Sequence, residues 1–359
     1  MTAAAAGPPR WLDKERAWHI ARYGDVALVL KSEAVGLVEI ARDLEKLSAR
    51  MDGAFANLVL LLGSSHPFQN SPAHDAARAA LKAMMAETAR RWTPQAIAAL
   101  VQDMLAPLAD GPPFDAVRTI AAPLPASVVA QALGLGVEQV QACGALVREV
   151  SAVWHRDVTP LRELRAMEEA ATGIVELLRA AGKRHDELAR LAFLTMAGVD
   201  TTAGLIASAL EILASVPALQ ARLRAEPARI AGFVNETLRT RPPLKRLVGR
   251  RTADTLRLAD REIPPGVNLV VDLERAHRDP GAYPDPDRFD IDRAGPPTLA
   301  FGFGAHTCIG APLARMEARI LIERLATDMV IHAAGDAVRG DSPDWNDFAS
   351  LPLRLERRI

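Results

Sequence analysis

The run Phe301-Gly302-Phe303-Gly304-Ala305-His306-Thr307-Cys308-Ile309-Gly310 constrains this chain more than any other stretch. It sets one cysteine among three glycines, immediately before a helical pattern. Residues without a Cβ at Gly302, Gly304 and Gly310 let backbone pass close to a flat object. Pro312 suits a first helical turn, and Leu313, Met316, Ile320 and Leu321 recur at helical spacing. Cys308 is therefore predicted near a helix N-terminus, where free N–H groups and the helix dipole stabilise a thiolate.

Two plainer readings of this loop are weaker. The Gly-x-Gly pair suggests a dinucleotide turn, but Thr307 stands where the third glycine of that fingerprint belongs. A lone cysteine is more often a small buried hydrophobe than a ligand, yet such a cysteine needs no glycines and no adjacent helix start. A thiolate presented to a planar ligand is what haem–cysteine ligation requires. The stretch resembles the haem-binding loop of the cytochrome P-450 superfamily, matching Phe-Gly-x-Gly-x-His-x-Cys-x-Gly at every fixed position. The resemblance implies haem b with Cys308 as axial ligand and metal-binding residue, and Phe301, Gly302, His306 and Gly310 as haem neighbours.

The implied fold is mainly α with a small β region: one domain, 18–359, enclosing haem between a distal and a proximal helix. Residues 1–17 read as a poorly ordered tail. The chain has 359 residues and is 49% hydrophobic, ample for a large core. Its net charge of −1 speaks against nucleic acid and against electrostatic binding to anionic membranes. With only Cys143 and Cys308, no disulfide framework is available. No stretch reads as a membrane span or signal peptide, so a cytoplasmic, monomeric protein is expected. Short β-like pieces are predicted at Trp18–Leu30 and Val248–Val271.

Four further motifs extend the resemblance. Ala197-Gly198-Val199-Asp200-Thr201-Thr202 lies in a helical run from about Glu187 to Val216. Thr201 is placed to bond back to the Ala197 carbonyl, and Gly198 loosens the same turn. In the family this distal motif makes room for oxygen beside the haem, which implies Ala197 and Gly198 as further haem neighbours, with Thr201 organising water and Asp200 helping deliver protons. Glu236 and Arg239 share a helix face, and the resemblance joins them to Arg288 of Pro286-Asp287-Arg288-Phe289 in a buried charge network. His74 and Arg78 follow a predicted cap at Ser71 and a first helical residue at Pro72. With His306 and Arg250 they match the family's partners for the haem propionates. The fourth motif, Ala276-His277-Arg278-Asp279-Pro280 with the proline-rich turn after it, bears on fold alone.

The pocket is less legible. If Arg250 faces the haem, strand alternation puts Val248 and Arg246 on the same side. Arg246 would then bind a substrate anion, or else turn to solvent or to the second propionate. Phe68 and Phe348 are further pocket candidates. The segment between the Trp154 region and the distal helix is shorter than in typical relatives, which suggests open access or a carrier or covering protein.

The resemblance implies a monooxygenase that inserts one oxygen atom of O2 into a small organic substrate, by hydroxylation or epoxidation, in secondary-metabolite tailoring or catabolism. Electrons would come from NAD(P)H through a separate ferredoxin and ferredoxin reductase, with Arg90, Arg91, Arg315 and Arg319 as candidate docking cations. Two alternatives stay open. One uses the same site for oxidative coupling, desaturation or peroxide-driven chemistry, and the other is a non-catalytic haem carrier or sensor.

Overall fold

Apolar residues three and four apart build the spine of the molecule, the helix Leu188–Ser215. Leu205, Ile206, Ala209, Leu210 and Leu213 are buried along it, and each large aliphatic side chain contributes roughly 1.5–3 kcal/mol by leaving water. The helices Pro123–Leu133, Val137–Ser151 and Ala311–Asp328 pack against this spine. It ends at Val216, where Pro217 opens the next helix without a backbone N–H to give the last one. In this computed structural model, residues 6–38, 40–63, 69–151, 159–258 and 261–358 are described.

The fold is mostly helical, as expected, and among the described residues its minor β part falls into four sheets, the largest of five strands. Five strands lie in the order Arg10–Leu12, Ala17–Ile20, Asn268–Asp272, Arg246–Thr252, Val35–Leu37. Ala17–Ile20 runs parallel to Asn268–Asp272, and the other neighbours are antiparallel. The sheet joins the start of the chain to a segment some 250 residues later.

Four expectations are corrected here. The tail predicted over 1–17 is ordered from Arg10, because Arg10–Leu12 pairs with Ala17–Ile20 and Trp11 packs edge-to-face on Trp18. The β-like stretch from Trp18 is strand only to Ile20. Tyr23–Lys31 is a helix, with Asp25, Val26, Val29 and Leu30 inward at helical spacing. A β-branched run can serve either period, and tertiary packing chose. The segment His185–Ser215 does have the length and apolar character of a membrane span, contrary to the sequence reading, but more than half of it is buried inside the protein. Finally, the helix bearing His74 and Arg78 runs Ala73–Thr88, one residue later than predicted. Pro72 takes the cap position, and Ser71 donates its hydroxyl hydrogen to Asp75.

The short link before the spine is present. The helix Leu161–Ala180 passes through a single turn at His185–Glu187 into Leu188–Ser215. Phe68 and Trp154 lie outside the described residues.

Candidate active site

The cysteine loop folds back on itself. The Cys308 N–H donates to the Phe301 carbonyl at 2.8 Å, and Gly302 donates to Leu299 at 2.8 Å. Gly304 has a left-handed φ of +78°, and a Cβ there would stand 2.7 Å from the Leu30 carbonyl oxygen. Only glycine brings the loop this close to the end of Tyr23–Lys31. Arg315, one turn into the helix Ala311–Asp328, lies over the Phe301 ring at 4.4 Å. That stacking makes Arg315 part of the loop's support, and its Nε also donates to Asn235.

The helix start acts on Cys308 as predicted, but it does not prevail. Although Cys308 is exposed, desolvation by the protein around it pushes the thiol up, against the Gly310 and Ala311 N–H groups and the charges of Arg78 and Arg315, which favour the thiolate. A cation above the sulfur would complete what the N–H groups begin.

The residues proposed for the haem propionates converge from three elements. Arg250 pairs with Leu37 across the sheet, and the Leu37 N–H donates to the Asn70 side chain at 2.8 Å. The Asn70 carbonyl accepts from His74 at 3.1 Å in the first turn of its helix. The His74 ring lies 4.1 Å from that of His306, centroid to centroid. Its Nδ1–H donates to Asp75 at 2.9 Å, a bond that pulls the Asp75 carboxyl down. Arg78 donates to the Thr307 carbonyl at 2.6 Å, tying the same helix to the cysteine loop. Arg250 carries the clearest sign of a missing counter-charge. Burial pushes it down to about 10, and it has no ion pair with any described residue. Arg250 is half-buried, and a partly desolvated guanidinium gains from an anionic partner. These residues fit a planar, dianionic cofactor and would hold its carboxylates, with Cys308 available as a ligand to its metal.

On the spine, Thr201 Oγ1 donates to the Ala197 carbonyl at 2.7 Å, as predicted. Asp200 accepts from Arg148 Nη1 at 2.8 and 3.1 Å. Burial nevertheless pushes the Asp200 carboxyl up, Arg148 opposing the rise and the charge of Asp347 adding to it. Arg148, on Val137–Ser151, was invisible in the sequence because nothing links residues 52 apart on separate helices. A Cβ at Gly198 would meet Val129 Cγ2 at 2.8 Å, so its smallness also serves the contact with the helix Pro123–Leu133.

The charge network is real, but its third member is a different arginine. Glu236 and Arg239 form a two-pronged pair at 2.7 Å on each prong, almost fully buried. The third side chain is Arg293, whose Nε lies 3.1 Å from Glu236 Oε1. Arg288 points outward to Asp290 and gives the network only its carbonyl, which accepts from Arg239 and Arg293. Spacing alone does not separate the two arginines, since both flank the turn that wraps this pair.

Arg246 is corrected as well. Leu247 faces Val271 and Arg250 faces Leu269, so three residues on one strand span two on its neighbour. This bulge, at a Gly249 φ of +74°, reverses the alternation. Arg246 and Arg250 therefore lie on opposite faces. Arg246 meets Asp344 at 2.5 Å and is not left open for an anion. Val248 does line a cavity beside it. Phe348 is packed in the main core beneath Arg339.

Comparison with known proteins agrees with this geometry. Residues 182–328 match the family model described as Cytochrome P450. The chain is 31% identical to cytochrome P450 107B1 of Saccharopolyspora erythraea, over 95% of this chain and 88% of that one. It is 38% identical to the cytochrome P450 monooxygenase PikC of Streptomyces venezuelae, over 53% of this chain and 47% of that one. Its fold superposes on the crystal structure of CalO2 with a TM-score of 0.82 at 25% identity, covering 95% of this chain and 91% of that one. A cysteine loop, a distal Asp-Thr pair and a buried Glu-Arg pair, together with a relative matched along nearly its whole length, lead to one conclusion: the chain belongs to the cytochrome P450 family and, with it, to the proteins that hold haem through a cysteine thiolate.

Proposed function

We propose that the protein is an O2-dependent monooxygenase that hydroxylates or epoxidises a small organic molecule, in secondary-metabolite tailoring or catabolism. The observation that carries this reading is the distal pair: Thr201 anchored on the Ala197 carbonyl, with Asp200 beside it, half-neutralised by Arg148. A haem carrier or sensor has no use for a titratable acid held next to a hydroxyl.

When bound, the haem supplies the oxygen activation and electron transfer that no side chain performs. Cys308 would hold it from the proximal side, and Arg250, Arg78, His74 and His306 would hold its carboxylates. Because its hydrogen is given to Ala197, the Thr201 oxygen presents lone pairs, which orient a water or accept a hydrogen bond. Asp200, its carboxyl raised by burial, takes a proton from solvent through its partly exposed edge and passes it inward. Arg148 limits how far that rise goes. Electrons would arrive from NAD(P)H through a ferredoxin and its reductase, and the exposed Arg90, Arg91 and Arg319 are cations for an acidic donor.

The test is spectroscopic first. Haem-loaded protein, reduced and treated with CO, is expected to show the red-shifted thiolate Soret band, and Cys308→Ser is expected to lose it. A normal band at Cys308→Ser would overturn the ligation. Turnover with a ferredoxin, its reductase and NADPH under 18O2 should then place labelled oxygen in product.

A further inference from the structure

Beside the five-stranded sheet lies a cavity of about 590 Å³, walled by the hairpin turn at Lys14 and Glu15, the helix Ile40–Ala49, Leu164, the strand Arg246–Thr252 and Asp344. Its size suits a drug-sized ligand. Leu44, Leu47, Leu164 and Val248 form its apolar wall. Its charged residues, among those described, cancel: Lys14, Arg246 and Arg251 against Glu15, Asp43 and Asp344.

The cancellation at the inner end is built into the fold. Asp344 has a side chain only 7% exposed, 2.5 Å from Arg246 Nε, with Glu15 at 3.9 Å from Arg246 Nη1. Asp344 cannot drift away. Its carbonyl accepts from the Lys245 N–H at 2.8 Å, and two residues on, Asn346 donates to the Pro243 carbonyl at 2.8 Å. An anionic ligand reaching Arg246 would face the Asp344 carboxylate, and a cationic one would face the guanidinium. Either charge would lose water without an unpaired partner to replace it. A hydroxyl or amide finds both a donor and an acceptor there at little cost.

We propose that Asp344 sets the charge class of the ligand, so that this cavity takes an uncharged amphipathic molecule with its apolar body on Leu44 and Leu164 and its hydrogen-bonding end at the Arg246–Asp344 pair. Calling that ligand the substrate rests on the monooxygenase reading; the binding preference does not. Repulsive charge is the specificity element, and removing Asp344 should convert the cavity into an anion site.

The experiment is calorimetric titration of the haem-loaded protein at neutral pH with dodecanamide, dodecanoate and dodecylammonium, each below its micelle-forming concentration. Dodecanamide should bind tightest to the native protein. Asp344→Asn should raise affinity for dodecanoate tenfold or more and leave dodecanamide within threefold. Leu44→Trp should abolish binding of all three. Tightest native binding of either charged probe, an unchanged dodecanoate affinity in Asp344→Asn, or undiminished binding in Leu44→Trp would overturn the proposal. If Asp344→Asn does not fold, Arg246→Met serves in its place, with a tenfold gain expected for dodecylammonium; no gain there overturns it equally. The heat of binding is read whether or not oxygen is activated, so loss of the thiolate Soret band with the charge preference intact would sink the monooxygenase reading alone.

Discussion

At the exposed Cys308 two effects oppose each other: desolvation by the surrounding protein disfavours the thiolate, while the Gly310 and Ala311 N–H groups and two arginines favour it. A metal cation at the sulfur would tip that balance toward the thiolate. A similar balance governs Asp200 between burial and Arg148. For Thr201→Ala we expect oxidised product per NADPH to fall by about a hundredfold, with hydrogen peroxide release rising to match; coupled turnover at the native level would remove Thr201 from proton delivery. In Arg148→Gln the Asp200 carboxyl loses its main stabiliser and rises further, so the alkaline limb of the pH–rate profile, where the donor loses its proton, should move to higher pH. Cys308, Thr201 and the Glu236–Arg239 pair were legible residue by residue because each sits in a local pattern. Arg148 and Asp344 were not, since their partners lie 52 and 98 residues away.

Between elements, the clamp around Glu236 shows how little motif spacing says about which side chain turns inward. Arg288 and Arg293 both contribute to the turn, yet only Arg293 lies against Glu236, and its side chain is 11% exposed against 70% for Arg288. Arg293→Ala leaves part of a buried carboxylate uncompensated and should cost about 3 kcal/mol in urea unfolding. Arg288→Ala removes an exposed pair and should cost about 0.5 kcal/mol or less. Equal costs would contradict this assignment. The bulge at Gly249 is the other lesson at this scale. One inserted residue put Arg246 and Arg250 on opposite faces, because side-chain direction in a strand depends on parity and a bulge changes it.

For the whole molecule, two buried ionisable groups set opposing pH dependences. His277 accepts from the Leu299 N–H at 2.8 Å and is pushed down to about 3, by burial first and then by Arg239 and Arg278. Below its ordinary value of 6.5 the unfolded chain binds a proton that the folded one refuses, so stability falls as pH drops from there toward 3. Glu317, buried on Ala311–Asp328, is raised well above its ordinary value of 4.5. There the folded chain keeps a proton that the unfolded one releases, so stability falls as pH rises above that value. Between pH 4.5 and 6.5 the two slopes oppose each other. His277→Asn should change the slope of unfolding free energy in that window by about 1.4 kcal/mol per pH unit, and Glu317→Gln should change it in the opposite sense. Identical slopes in all three proteins would refute both assignments.

Helical class, the cysteine loop of the family and the distal acid–alcohol pair could be read from the chain alone. They depend on local chemistry: glycine at tight approaches, a thiol at a helix start, a hydroxyl four residues from a carbonyl. The tail that became an edge strand, the identity of the third arginine, the partner of Asp200 and the neutralisation of Arg246 came only with the folded molecule. Each is a meeting of segments far apart in sequence, selected by burial and charge compensation that no single segment carries.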